Sequence, residues 1–166
     1  MRVREPRIPL KYLQTDQAAS RHDILLWSCY IPPSHSSYFN PDTLSNLENE
    51  INLFKKDYFI GDFNARTGVQ HDFITYDNCN VAPGGISPPP TMLTPRKSFD
   101  SHVNDLGEQL LEMCKSLDLR ILNGRCKGYS LGQITFHGNQ GSSTVDYIIV
   151  SHEILHLFET LVVRQP

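Results

Sequence analysis

The strongest constraint on this chain is a short apolar run that ends in a turn dense with hydrogen-bonding side chains. Tyr58-Phe59-Ile60 leads directly into Gly61-Asp62-Phe63-Asn64-Ala65-Arg66-Thr67-Gly68. An aromatic and β-branched run closed by glycine predicts a buried strand, here over residues 57–61. The turn after it leaves a carboxylate and a carboxamide two residues apart at the strand's C-terminal edge. Open α/β sheets place their ligands at that edge. An aspartate can take a proton from water, and an asparagine can donate to a phosphate oxygen while accepting elsewhere. The pair suits attack of water on a phosphodiester. The same residues suit an Asx-turn equally well, with Asp62 or Asn64 capping its own backbone.

The flanking pattern places this turn in a layered α/β domain. Ile24-Leu25-Leu26-Trp27-Ser28-Cys29-Tyr30-Ile31 is nearly continuous apolar sequence stopped by Pro32-Pro33, as expected of a buried strand. Asn40-Pro41 marks a helix start. Leu44, Leu47, Ile51 and Phe54 repeat at helical spacing, so residues 41–54 are expected to form an amphipathic helix. Residues 69–102 lack periodicity and carry Pro83-Gly84-Gly85 and Ser87-Pro88-Pro89-Pro90. A loop of that length is functional, lying over a substrate groove, or a solvated insertion. Leu106, Leu110, Met113, Cys114 and Leu117 define a second helix at about 104–117. Strands are expected at 119–122, 134–137 and 145–150, a short helix at 151–158, and another strand beginning at 161–163. Residues 1–21 are polar and interrupted by Pro and Arg, so they form a lead-in to a single domain spanning 22–166.

Composition narrows the class. A chain of 166 residues with 39% apolar and 20% charged residues can bury one core. No apolar run reaches the roughly 18–20 residues of a membrane span. No signal peptide follows the basic N-terminus. Cys29, Cys79, Cys114 and Cys126 are far apart and form no C-x-x-C, which predicts reduced thiols in an intracellular protein, nuclear or cytoplasmic, without a zinc site. The net charge of −3 lacks the basic surplus of most nucleic-acid binders. It leaves room for an enzyme that contacts few phosphates and recruits a cation.

Four blocks in order carry a family resemblance. They are Tyr30-Ile31-Pro32-Pro33; the 61–68 string; Arg96-x-Ser98-x-Asp100-x3-Asn104-x2-Gly107-x2-Leu110-Leu111 with Leu119–Arg125 after it; and Thr135-Phe136 with Ser142-Ser143-Thr144-Val145-Asp146-Tyr147-Ile148 and Ser151-His152. Together they resemble the endonuclease domains of non-LTR (LINE-type) retrotransposons and the craniofacial-development-protein-like sequences related to them. Both belong to the endonuclease/exonuclease/phosphatase superfamily. The resemblance implies a four-layered α/β sandwich and Mg2+-dependent hydrolysis of DNA phosphodiesters, with a reverse transcriptase domain in the parent polyprotein. It implies that Asp62 orients or deprotonates the attacking water, that Asn64 bonds the phosphate and holds Asp62, that Tyr30 offers its hydroxyl to the phosphate, and that Asp146 orients a catalytic histidine. Arg96 and Arg125 are candidate contacts to substrate phosphates, with solvated surface charge as the plainer alternative.

The chain also departs from the family pattern. None of its glutamates follows a glutamine, so the family's metal-binding Q-E is not matched, and it contains no Asp-His dipeptide. No metal site is complete. The expectation is a partial sandwich with terminal strands missing, weakly active or inactive in isolation. The competing expectations are a non-catalytic remnant or domesticated interaction module, and a phosphatase or phosphodiesterase for small phosphate esters.

Overall fold

The computed structural model describes residues 26–54, 58–74, 94–139 and 141–161. The lead-in 1–21, the greater part of the 69–102 loop, Cys79 and the strand expected from 161–163 fall wholly or mainly outside them.

The centre is an open four-stranded mixed sheet. β1 (Leu26–Tyr30) runs through helix α1 (Thr43–Phe54) to β2 (Tyr58–Asp62). β1 and β2 pair in parallel, with Tyr30 opposite Asp62. This is the strand–helix–strand unit that the apolar periodicity predicts. Helix α2 (Asp105–Ser116) leads to β3 (Leu119–Ile121), then to a hairpin of β4 (Phe136–Gly138) and β5 (Gly141–Ser143), and on to β6 (Asp146–Ser151). A 3-10 helix, His152–Leu157, follows. The strand order is β1-β2-β6-β3, so β6 inserts between β2 and β3 and is antiparallel to both.

The period-two alternation of β6 builds two cores. Tyr147 and Ile149 face one way and join Phe59, Phe63, Ile121 and the helix residues Leu44, Ile51, Leu106, Leu110 and Leu111. Val150 faces the other way and packs with Leu122 and Cys126, supported by Ile148, Ile154, Leu155 and Phe158. Helices therefore cover one sheet face, and the 3-10 helix covers part of the other. Near β1 and β2 that second face is open, with Ile60 41% exposed.

Helix boundaries follow from local chemistry. Asn40 accepts the Asp42 amide through its side chain, and its carbonyl accepts the Thr43 hydroxyl. That turn delays α1 to Thr43, two residues past the proline. Asn104 caps α2 by accepting the Gly107 N–H, and Asp105 and Glu108 complement the positive helix start. β5 has no counterpart in the sequence pattern, because Gly-Ser-Ser carries no apolar alternation.

Candidate functional site

Three of the expected site residues stand in one row across neighbouring strands. Tyr30 on β1 lies opposite Asp62 on β2, and Asp62 lies opposite Asp146 on β6. Residues in register across adjacent strands point to the same side of a sheet. Here that side is the open one, shared with Ile60 and opposite the helices. The hydrogen-bond pattern makes the two aspartates close neighbours. Phe63 N–H donates to Val145 O, whereas the Asp146 N–H turns away from β2 to Thr135 Oγ1. Asp62 and Asp146 thus form a non-hydrogen-bonded antiparallel pair, the type whose Cα atoms approach to about 4.5 Å. Tyr30 is 65% exposed, Asp146 is exposed and Asp62 is half-buried.

Gly61 permits this row. A Cβ at this position would sit 1.8 Å from the Cys29 carbonyl oxygen, so only glycine lets β2 lie against β1 immediately before Asp62. The turn beyond is an Asx-turn. Asp62 Oδ1 accepts the Asn64 N–H at 2.9 Å, and Asn64 adopts φ 47. Asparagine tolerates that left-handed conformation better than most residues. Asn64 Nδ2 donates to Ile31 O at 2.9 Å, which ties the turn to the end of β1. An amide nitrogen carries two protons, and among the described residues only one of them has a partner. The two readings of the Asp–Asn string are therefore compatible, since the local cap also aims the carboxylate.

Burial raises the Asp62 carboxyl above its ordinary value; the Asn64 amide opposes this, and the nearby Asp146 charge adds to it. The Cys29 thiol is pushed up to about 11 by burial and then by the charge on Asp62, so it is a protonated neighbour and not a nucleophile. Asp146 is placed by its backbone. Thr135 Oγ1 accepts the amides of both Val145 and Asp146, at 3.1 and 3.2 Å. Asn123 Nδ2 donates to Asp146 O and its Oδ1 accepts the Ile148 N–H. Asn123 thereby extends the β3–β6 ladder with a side chain after β3 has ended. Neither Thr135 nor Asn123 announces this role in sequence, although both lie in the recurring blocks.

Arg96 and Arg125 do not meet solvent as substrate contacts would, and this corrects the expectation for them. Arg96 is 4% exposed and its Nη2 donates to Thr67 Oγ1 at 2.7 Å. The Thr67 hydroxyl also bonds the Tyr147 hydroxyl, which donates to Thr144 O. Arg125 forms a two-pronged ion pair with Asp72 at 2.5 and 2.6 Å, with side-chain exposures of 5% and 0%. Both guanidiniums face inward because each finds acceptors there, and burying a charge is tolerable only on that condition.

His152 lies against Asp118, which also pairs with Arg120, beyond the far end of β6. Asp146 opens that strand and His152 follows its end, so the two are not brought together.

Asp62 and Asp146 offer oxygen donors of the class hard cations prefer. Among the described residues, however, no group of three or more His, Cys, Asp or Glu side chains converges on a metal position. The described donor set does not by itself fit a Mg2+ site. No helix among the described residues is long and apolar enough to cross a membrane.

No family model, curated protein or solved structure matches the chain.

Proposed function

We propose that this domain is a phosphodiester hydrolase of the endonuclease/exonuclease/phosphatase type, from the branch of LINE-type DNA endonucleases, with the described strands forming part of a four-layered sandwich. The observation that carries this reading is the in-register row Tyr30–Asp62–Asp146 on the open sheet face, with the Asn64 amide bonded to Asp62. Asp62, whose carboxyl burial raises above its ordinary value, is the group that takes a proton from an attacking water. The free proton on Asn64 Nδ2 and the Tyr30 hydroxyl donate to non-bridging phosphate oxygens and stabilise charge as it develops. Asp146 holds its neighbour's proton affinity up and fixes the far wall of the site. The cation that the resemblance calls for takes ligands beyond the described carboxylates, and no step is assigned to it.

Nicking of supercoiled plasmid in the presence of Mg2+ tests this. Asp62→Ala and Asn64→Ala should each lower the nicking rate by about 10²- to 10⁴-fold, the contribution of a positioned acid–base group. Equal rates in wild type and both variants would reject the assignment.

A second reading, a DNA-binding or interaction module without turnover, is favoured by the donor set of only two carboxylates. It predicts plasmid binding that survives Asp62→Ala with no nicking by the wild type.

A further inference from the structure

The segment just before α2 does not line the carboxylate row, yet it is bonded to both ends of it. Asn104 is the N-cap of α2, and its side chain bonds three backbone groups, one in α2 and two in the turn after β2. Its Oδ1 accepts the Gly107 N–H at 2.8 Å and the Arg66 N–H at 2.8 Å, while its Nδ2 donates to Asn64 O at 3.2 Å. The Asn104 N–H donates back to Arg66 O, and Thr67 bridges Val103. The carbonyl of Asn64, the residue held at positive φ, is thus tied to a helix end, while its N–H is tied to Asp62.

Asp100 works on the other side. Its carboxylate takes both prongs of Arg66, at 2.8 and 2.6 Å, and also accepts the amides of Thr144 and His102. Thr144 lies two residues before Asp146. A single 3%-exposed carboxylate therefore joins the turn that carries Asp62 to the strand start that carries Asp146. The Arg66 guanidinium holds this carboxyl below its ordinary range, against the opposing effect of burial.

We infer that Asn104 and Asp100 are positioning residues of the carboxylate site: Asn104 sets the backbone of the Asp62–Asn64 turn, and Asp100 sets the spacing between that turn and Asp146. Neither touches the substrate. The inference deepens the hydrolase reading and rests on it for its catalytic meaning, but its structural content is measurable without turnover.

The discriminating variant is Asn104→Ser. Serine keeps an oxygen that caps α2 but lacks the amide donor that reaches Asn64. Hydrogen exchange followed amide by amide should show Gly107 protected as in wild type and the Asn64 N–H exchanging at least tenfold faster, at an unchanged melting temperature. Asp100→Asn, which keeps the shape and loses the charge that Arg66 pairs, should melt lower and speed exchange at the Thr144 N–H at least tenfold more than at the sheet amides. Where the wild type nicks plasmid, Asn104→Ser should lower kcat at least tenfold and leave KM within twofold. Asn64 exchange equal to wild type overturns the inference, as does acceleration spread evenly over α2 and the sheet, which marks a purely stabilising cap. A wild type that shows no nicking counts against the hydrolase reading, while the exchange result still decides whether the residues position the turn.

Discussion

At the scale of single residues, Asp62 combines two demands that conflict. A base near a phosphate is useful when its proton affinity is high, and burial supplies that here, with Asp146 adding to it. A carboxyl raised in the fold disfavours its own ionised form. The resulting penalty is absent below the unfolded value, near 3.9, and grows as pH rises through the folded value. Asp62→Asn should therefore melt slightly higher than wild type at pH 7, by about 1 °C after allowing for solvent screening, and no higher at pH 3. Scanning calorimetry at the two pH values checks this, and a variant less stable at pH 7 contradicts it. Asp62 and Asn64 were legible in sequence as a turn after a buried strand, with an Asx cap and a ligand site equally open, and the structure shows the cap. Arg96 and Arg125 were not. Their partners Thr67 and Asp72 are 29 and 53 residues away, and no local pattern signals a buried hydrogen bond or ion pair of that span.

Among the elements, the helices and inner strands follow from periodicity, while the segments that hold the site do not. Residues 94–104 contain no repeating apolar face, and individual backbone and side-chain hydrogen bonds to distant segments fix them instead. Lys97 N–H pairs with Gly124 O and Phe99 N–H with Gly132 O, and the clasp by Asp100 and Asn104 completes the attachment. Such contacts depend on distant partners and leave no period to detect. Gly107 offers a test at this scale. In an open helix, replacing glycine with alanine stabilises by about 1 kcal/mol. Here a Cβ would lie 1.8 Å from Arg66 O, which is backbone and cannot swing aside. The close approach should win. Gly107→Ala should destabilise the fold by about 1–3 kcal/mol in urea, the usual range for overpacking. A stabilised variant would mean that α2 and the turn are not in contact as described.

For the whole molecule, acid sensitivity should be set in large part by Asp72. Burial alone would raise this carboxyl, but the Arg125 guanidinium, then the Ile121 amide, hold it below the ordinary carboxylate range. A depressed carboxyl contributes stability that is fully present above the unfolded value near 3.9 and is lost as pH falls through the lower folded value. Asp72→Asn should cost about 3–5 kcal/mol at pH 7, because it strands a buried guanidinium. The loss should shrink in acid, where wild type weakens and the variant has no such carboxyl left to protonate. Urea midpoints from pH 6 to pH 2 make the comparison. The α/β class and the β1–α1–β2 unit were readable in advance, whereas the insertion of β6 between β2 and β3 was not, since strand order depends on pairing between distant segments. That insertion governs when the two aspartates can face one another during synthesis. Asp62 is synthesised long before Asp146, and β3 joins the sheet only through β6, the last of the four strands to be made. A nascent chain halted anywhere before β6 would carry Asp62 without its cross-strand partner, so the row closes only when the last strand of the sheet is in place.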